Sequence, residues 1–183
     1  MDFCRRCVVL GLTVAVLSGC AGLGQKNDGF KPVLRQSGKD VMWLPTSQDL
    51  VNKMLAAAQV TSKDIVYDLG SGDGVIPITA AQQFNARAVG IEYDAKLAEF
   101  ARKNAQQAGV ADKVQIIRGD IFVEDFSQAT VVTLYLLPEL NLQLRPTLLK
   151  MKPGTRIVAN AFDMQEWTPD QTVSAGSEQA FLW

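Results

Sequence analysis

Residues 67–74 read YDLGSGDG: Asp68 near a strand end, glycines at 70, 72 and 74, and a second acid, Asp73, among them. Residues 64–70 read as a short apolar strand and 75–84 as a helix that tolerates Pro77 in its first turn. Glycine loops between a strand and a helix commonly hold phosphate at the helix N-terminus. This loop is poorly suited to phosphate. Asp68 and Asp73 would repel a pyrophosphate, and the loop contains no Lys or Arg to compensate. The third glycine also falls one position early for a dinucleotide fingerprint, which would want glycine where Val75 stands. A ligand with a positive centre and no phosphate suits the loop better.

Outward from this loop, apolar strands alternate with helices. A helix follows Pro45, with Thr46 as its cap and Leu50, Val51, Met54, Leu55 and Ala58 on one face. Strands are expected over 87–94, 113–120, 129–138 and 155–162. Helices are expected over 94–108, closed by Gly109, and over 139–150 with a break near Pro146. Residues 171–183 read as two short strands around a Gly-containing turn. The pattern predicts an α/β domain over 41–183: one doubly wound, mostly parallel seven-stranded sheet, helices on both faces, and a C-terminal antiparallel hairpin. Ligands of such sheets sit at the carboxyl ends of the strands. Asp68 with Gly70, Ser71, Gly72, Asp73 and Gly74 ends the first strand, Glu92 the second and Asp120 the third, so all should border one crevice.

At 183 residues, 48% hydrophobic and 20% charged, the chain holds enough for one large domain. The net charge is -1 and the basic residues are dispersed, which argues against a nucleic-acid partner. There is no histidine, so His-based triads, His proton shuttles and most zinc sites are excluded, and no metal site is expected. Residues 1–19 combine Arg5 and Arg6 with an apolar run and small residues, the pattern of a secretory signal. LSGC resembles a bacterial lipobox, which implies cleavage before Cys20, a lipid on Cys20, and a membrane-anchored protein facing the periplasm or cell exterior. The alternative is an uncleaved anchor on the cytoplasmic side. Cys4 and Cys7 fall inside the removed segment, and residues 20–40, rich in Gly and polar residues, read as a flexible tether.

DLGSGDG, an acid ending the next strand and GD after the third together resemble class I S-adenosylmethionine-dependent methyltransferases. The resemblance implies S-adenosylmethionine as cofactor, whose ammonium and sulfonium turn the two loop acids into attractive contacts. It implies that Asp68 and the backbone of Gly70 and Gly72 hold the methionine end, with Ser71, Asp73 and Gly74 in the same loop. Glu92 would accept from both ribose hydroxyls, and Asp120 from the adenine amino group. WLPTS, VGIE, VVTLYLLPELNLQL and WTPD extend the resemblance to the lysine methyltransferases of the ATP synthase c-subunit and their bacterial relatives. A protein lysine, with membrane proteins among the candidate substrates, is then the implied acceptor, and the absence of NPPY after the fourth strand points away from amide or adenine N-methylation. Tyr135 and Glu139, with Asp163, are the candidates for handling the acceptor's proton. Thr46 and Ser47 could touch the ligand or merely cap the helix, and Trp43 and Trp167 could line an acceptor channel or merely pack. A non-catalytic nucleoside-binding module and, third, a nucleotide-dependent oxidoreductase remain as other readings.

Overall fold

The computed structural model describes residues 43–183; the expected export signal, the expected lipidation at Cys20 and the expected tether lie outside the described residues. Five strands lie parallel: β1 (Ile65–Leu69), β2 (Arg87–Glu92), β3 (Val114–Arg118), β4 (Val131–Leu134) and β5 (Arg156–Asn160). A C-terminal hairpin of β6 (Gln171–Ala175) and β7 (Glu178–Leu182) joins antiparallel through β7 against β5, giving the order β3-β2-β1-β4-β5-β7-β6. The expected seven-stranded sheet and its hairpin are both present. The strand order reverses between β1 and β4, and in open α/β sheets that switch point opens a crevice at the carboxyl ends.

Side-chain alternation along the strands feeds two cores. On one face, Val66, Ala88, Ile116, Val131 and Val158 pack against α1 (Gln48–Ala57), α2 (Val75–Phe84) and α3 (Ala95–Gln107). On the other, Leu69, Ile91, Val132, Leu134 and Ile157 pack against Leu144 and Leu148 of α4 (Pro138–Leu148) and against Met164 and Trp183. Successive residues therefore serve opposite faces, as pleated strands require.

Helix ends follow local chemistry. Ser47, not Thr46, is the N-cap of α1, and its hydroxyl accepts from Leu50 N at 3.3 Å. Asp94 caps α3, with Oδ1 accepting from Lys96 N and Leu97 N at 2.9 and 2.8 Å. Two expectations need correction. The fourth strand is confined to Val131–Leu134, because Tyr135, Leu136 and Leu137 leave the sheet to line a cavity and Leu137 must be extended before Pro138. The helix after it is not broken at Pro146: that residue lies in the last turn, exposed, between the buried anchors Leu144 and Leu148, and forfeits a single backbone bond.

At the opposite edge of the sheet Asp64 ties three segments together. It accepts from Thr61 N and Thr61 Oγ1, from Thr130 Oγ1 at 2.7 Å, and from Arg156. Burial pushes its carboxyl up, but the Thr130, Arg156 and Thr61 bonds together outweigh that and hold it below the usual value. This stabilisation is present above the ordinary carboxylate pKa and is lost as pH falls through the lowered one.

Gly90, mid-strand in β2, has no room for a side chain. A Cβ there would lie 2.5 Å from Ser71 Oγ and 2.8 Å from Ile116 Cδ1. Gly90→Ala is expected to destabilise the domain by about 1–3 kcal/mol through overpacking, read as a lower urea midpoint at unchanged m-value; an unchanged midpoint would show that the loop gives way freely.

Candidate active site

The strand ends open on a cavity of about 340 Å³. Its lining includes four carboxylates, Asp68, Asp73, Glu92 and Asp120, and no Lys or Arg among the described residues. Apolar groups form much of the rest, among them Leu97, Ile121 and Phe122 on the β3 side and Leu136, Leu137 and Leu140 beyond β4.

Glu92 organises the centre. It is 9% exposed, its Oε2 accepts from Gly72 N at 2.8 Å, and its Oε1 accepts from Asp94 N at 2.8 Å. The strand end thus pins both the glycine loop and the start of α3. Tyr93 N also bonds the carboxylate, and since two oxygens offer about four acceptor sites, capacity for a further donor remains. Burial pushes the Glu92 carboxyl above its ordinary pKa despite these bonds.

Asp68 is 3% exposed and accepts from Thr133 Oγ1 at 2.7 Å. Burial, with repulsion from Asp73 and Glu92, raises its pKa to about 7, against the Thr133 bond that lowers it. Asp73 is also raised, chiefly by burial, although its Oδ1 accepts from Val75 N at 3.2 Å. Three neighbouring acids are therefore each disfavoured as anions, and a cation in the cavity would relieve all of them. Asp120, half-buried on the β3 side, has its Oδ1 held by Phe122 N at 3.0 Å.

The remaining residues named from the sequence divide sharply. Gly70 and Gly72 line the cavity at φ of 80° and 54°, and Trp43 lies against Gly72, where a Cβ would come within 2.6 Å of its Nε1. Ser71 and Gly74 are not in the lining. Ser71 points its buried hydroxyl at Gly90, without a hydrogen-bond partner, and Gly74 is the left-handed N-cap of α2 packed on Ala101. Tyr135 lines the cavity, and so does Thr46, whose Oγ1 accepts from the buried Asn160 at 3.0 Å. Glu139 is exposed on α4 outside the lining, because the buried residues Asn141, Leu144 and Leu148 occupy the other face of the helix. Asp163 is likewise exposed, occupied with Gln165 N. Trp167 is a packing residue: its ring lies 5.6 Å from that of Trp183, whose Nε1 donates to Trp167 O at 2.7 Å.

Sequence reasoning missed Phe162, and it placed Asn141 in the acceptor-facing segment VVTLYLLPELNLQL without giving it a role. Phe162 reaches the cavity through a tight turn in which Phe162 N donates to Asn160 O at 2.8 Å across Ala161, held at φ 67°. A non-glycine residue there is strained, and such strain persists only where surroundings enforce it. Asn141, fully buried on α4, supplies that enforcement by donating to Phe162 O at 3.1 Å. The signal available in the sequence was one polar residue on an otherwise apolar face of α4.

The comparisons with known proteins agree with this geometry. The family model described as the ANTKMT methyltransferase domain matches residues 68–171, more than half of the chain. A Saccharolobus islandicus protein described as a protein-lysine N-methyltransferase is 44% identical over 73% of this chain and 84% of its own length. The mouse lysine N-methyltransferase of the ATP synthase c-subunit is 33% identical over 64% of this chain, which spans 48% of that relative. Among solved structures, a Salinibacter ruber protein described as an RNA methyltransferase, in complex with S-adenosyl-L-homocysteine, superposes with a TM-score of 0.75 at 51% identity, over 76% of this chain and 92% of its own. With its switch-point cavity, its buried acids and these relatives, the chain belongs to the ANTKMT methyltransferase domain family and is an S-adenosylmethionine-dependent methyltransferase.

Proposed function

We propose that the protein N-methylates lysine side chains of a protein substrate. The observation that carries this reading is the side of the cavity away from the acids, an apolar wall of Leu136, Leu137 and Leu140 with no Lys or Arg among the described residues of the lining: it suits an alkyl amine and offers a polyanion no counter-charge. The archaeal relative's description as a protein-lysine N-methyltransferase supports it.

The residues present fit the cofactor. Asp68, Asp73 and Glu92 are raised by burial, Asp68 further by the other two, and the charge they lack is the ammonium and sulfonium of S-adenosylmethionine. In this assignment Asp68 and the Gly70 and Gly72 backbone hold the methionine end. Glu92 accepts from the ribose hydroxyls with the acceptor capacity that the backbone of Gly72, Asp94 and Tyr93 leaves over. Asp120 takes the adenine amino group, with Ile121 and Phe122 as apolar walls for the ring. When bound, the cofactor supplies a methyl group on a sulfonium, which transfers by in-line displacement to a nucleophile held behind it.

What the chain must do is align and desolvate the acceptor. An unperturbed lysine has a pKa near 10.4, and the apolar segment Leu136, Leu137 and Leu140 disfavours the charged form of an amine entering beside it. Tyr135, half-buried, immediately precedes that segment and lines the cavity with it. Burial and the nearby Glu178 push its phenol up, so at neutral pH it remains protonated and orients the amine through its oxygen rather than removing a proton as a phenolate. The proton leaves to water.

A second reading is favoured by one specific observation, the Salinibacter ruber structure described as an RNA methyltransferase. Incubation of the protein with methyl-labelled cofactor and whole-cell extract separates the two. Label in protease-sensitive material that yields methyl-lysine on acid hydrolysis is expected. Label in ribonuclease-sensitive material would replace lysine with RNA.

Two further outcomes follow from Asp68. Its raised pKa means that stability is present below the ordinary carboxylate range and is lost as pH rises through about 7. Asp68→Asn is therefore expected to raise the melting temperature of the cofactor-free protein at pH 8, by an energy on the order of 1.4 kcal/mol per unit of relieved shift, while weakening S-adenosylhomocysteine binding at least tenfold in calorimetry. A lower melting temperature would mean that the buried charge is compensated. Wild-type affinity for S-adenosylhomocysteine is expected to fall several-fold from pH 8 to pH 6 with proton release on binding, because Asp68 must ionise to receive the ammonium; a flat profile would remove Asp68 from that role.

A further inference from the structure

In sheet order the carboxyl edge presents Asp120 after β3, Glu92 on β2, the glycine loop after β1, Tyr135 after β4, Phe162 after β5 and then Glu178. Glu178 opens β7, and because β7 runs antiparallel to β5 its first residue stands at the same edge. Asn160 pairs with Ala180, and Ala161 N donates to Gln179 O at 2.9 Å. The cofactor assignment occupies the half from β3 to β1. The acceptor's half therefore begins at Tyr135, and the lining acids Asp68, Asp73, Glu92 and Asp120 all belong to the other half.

Glu178 is half-buried beside this second half, outside the lining itself. The hydroxyl of Ser47 donates to its Oε2, which fixes the carboxylate against the start of α1, next to Thr46 in the cavity wall. Its field reaches Tyr135, where it adds to burial in raising the phenol. Around the mouth, Leu44 and Leu137 are exposed large apolar residues that also line the cavity. One anchored negative charge beside an apolar rim matches a primary ammonium on an alkyl stem.

The geometry points to Glu178 as the specificity residue that draws the acceptor's ammonium to the cavity mouth beside Tyr135, with the alkyl stem lying against Leu44 and Leu137. This rests on the reading of the acceptor as a lysine. Glu178 acts before transfer: it concentrates and orients the charged amine, and the amine sheds its proton to water as it passes into the apolar segment.

The test uses n-butylammonium as a lysine side-chain probe on the full chain saturated with S-adenosylhomocysteine. Protein carrying 13Cζ-tyrosine gives three signals to resolve, from Tyr67, Tyr93 and Tyr135. Butylammonium is expected to shift the Tyr135 signal saturably, and n-butanol, the same stem without the charge, to bind at least about tenfold more weakly, the scale of a charge-assisted contact. Glu178→Gln is expected to weaken butylammonium by about five- to tenfold, to lower the ionisation midpoint of Tyr135, and to leave S-adenosylhomocysteine affinity unchanged. A Tyr135 signal unmoved by butylammonium, equal binding of butanol, or wild-type binding by a Glu178→Gln protein that still binds S-adenosylhomocysteine would each overturn the assignment. In the transfer assay, failure of the lysine reading shows as label on RNA or another amino acid. Failure of the Glu178 assignment instead leaves methyl-lysine formed, with Glu178→Gln at the wild-type KM.

Discussion

The Glu92 carboxylate is the contact on which the site's geometry depends. One oxygen takes Gly72 N and the other takes Asp94 N, both at 2.8 Å, so a single side chain at a strand end fixes the glycine loop on one side and the start of α3 on the other. A loop with left-handed residues at 70, 72 and 74 has no regular hydrogen-bond ladder of its own. Charge-assisted bonds to the neighbouring strand replace part of that ladder, supported by Gly70 N and Ser71 N donating to Ile91 O. Loop and β2 are consequently one mechanical unit, and Gly90 is the point at which they approach too closely for a side chain.

The same arrangement leaves the cavity electrostatically unbalanced. Asp68, Asp73 and Glu92 are each disfavoured as anions by burial, with Asp68 further raised by the other two. In a domain optimised for stability alone these positions would be neutral. Their retention makes sense as pre-organisation: the cavity is complementary to positive charge before the ligand arrives, so little reorganisation is needed on binding. In the proposed assignment, stability and cofactor affinity are coupled with opposite signs through one residue, Asp68.

Past β4 the construction changes from charge to shape. Leu136, Leu137 and Leu140 form an apolar wall, and Phe162 is turned into it by a strained residue, Ala161, that Asn141 and Asn160 hold in place through Phe162 O and Thr46 Oγ1. Two buried asparagines thus set the wall beyond β4 much as Glu92 sets the glycine loop. The two halves differ in chemistry because they differ in what they must accomplish. In the proposed assignment one holds a charged nucleoside, and the other admits a long side chain and strips it of water.

The strand-loop-helix alternation, the two-faced sheet and the three acids at consecutive strand ends were legible in the sequence, because each is written in local periodicity or in residues a fixed step beyond a strand. So was the exclusion of phosphate, which needs only the charges of YDLGSGDG. Residue-by-residue roles were less legible. Ser71 and Gly74 belong to the motif but face the sheet and α3, since the direction of a side chain in a left-handed loop depends on what packs behind it. Glu139 and Asp163 are acids near the right segment that point to solvent, whereas Glu178, more than forty residues beyond Tyr135, stands at the same edge because β7 returns antiparallel beside β5. Sequence by itself determined the fold class and the sign of charge at the ends of β1, β2 and β3, which are local properties. Tertiary structure decided the composition of the half beyond β4, because side chains distant in the chain meet there only through strand order and the turn at Ala161.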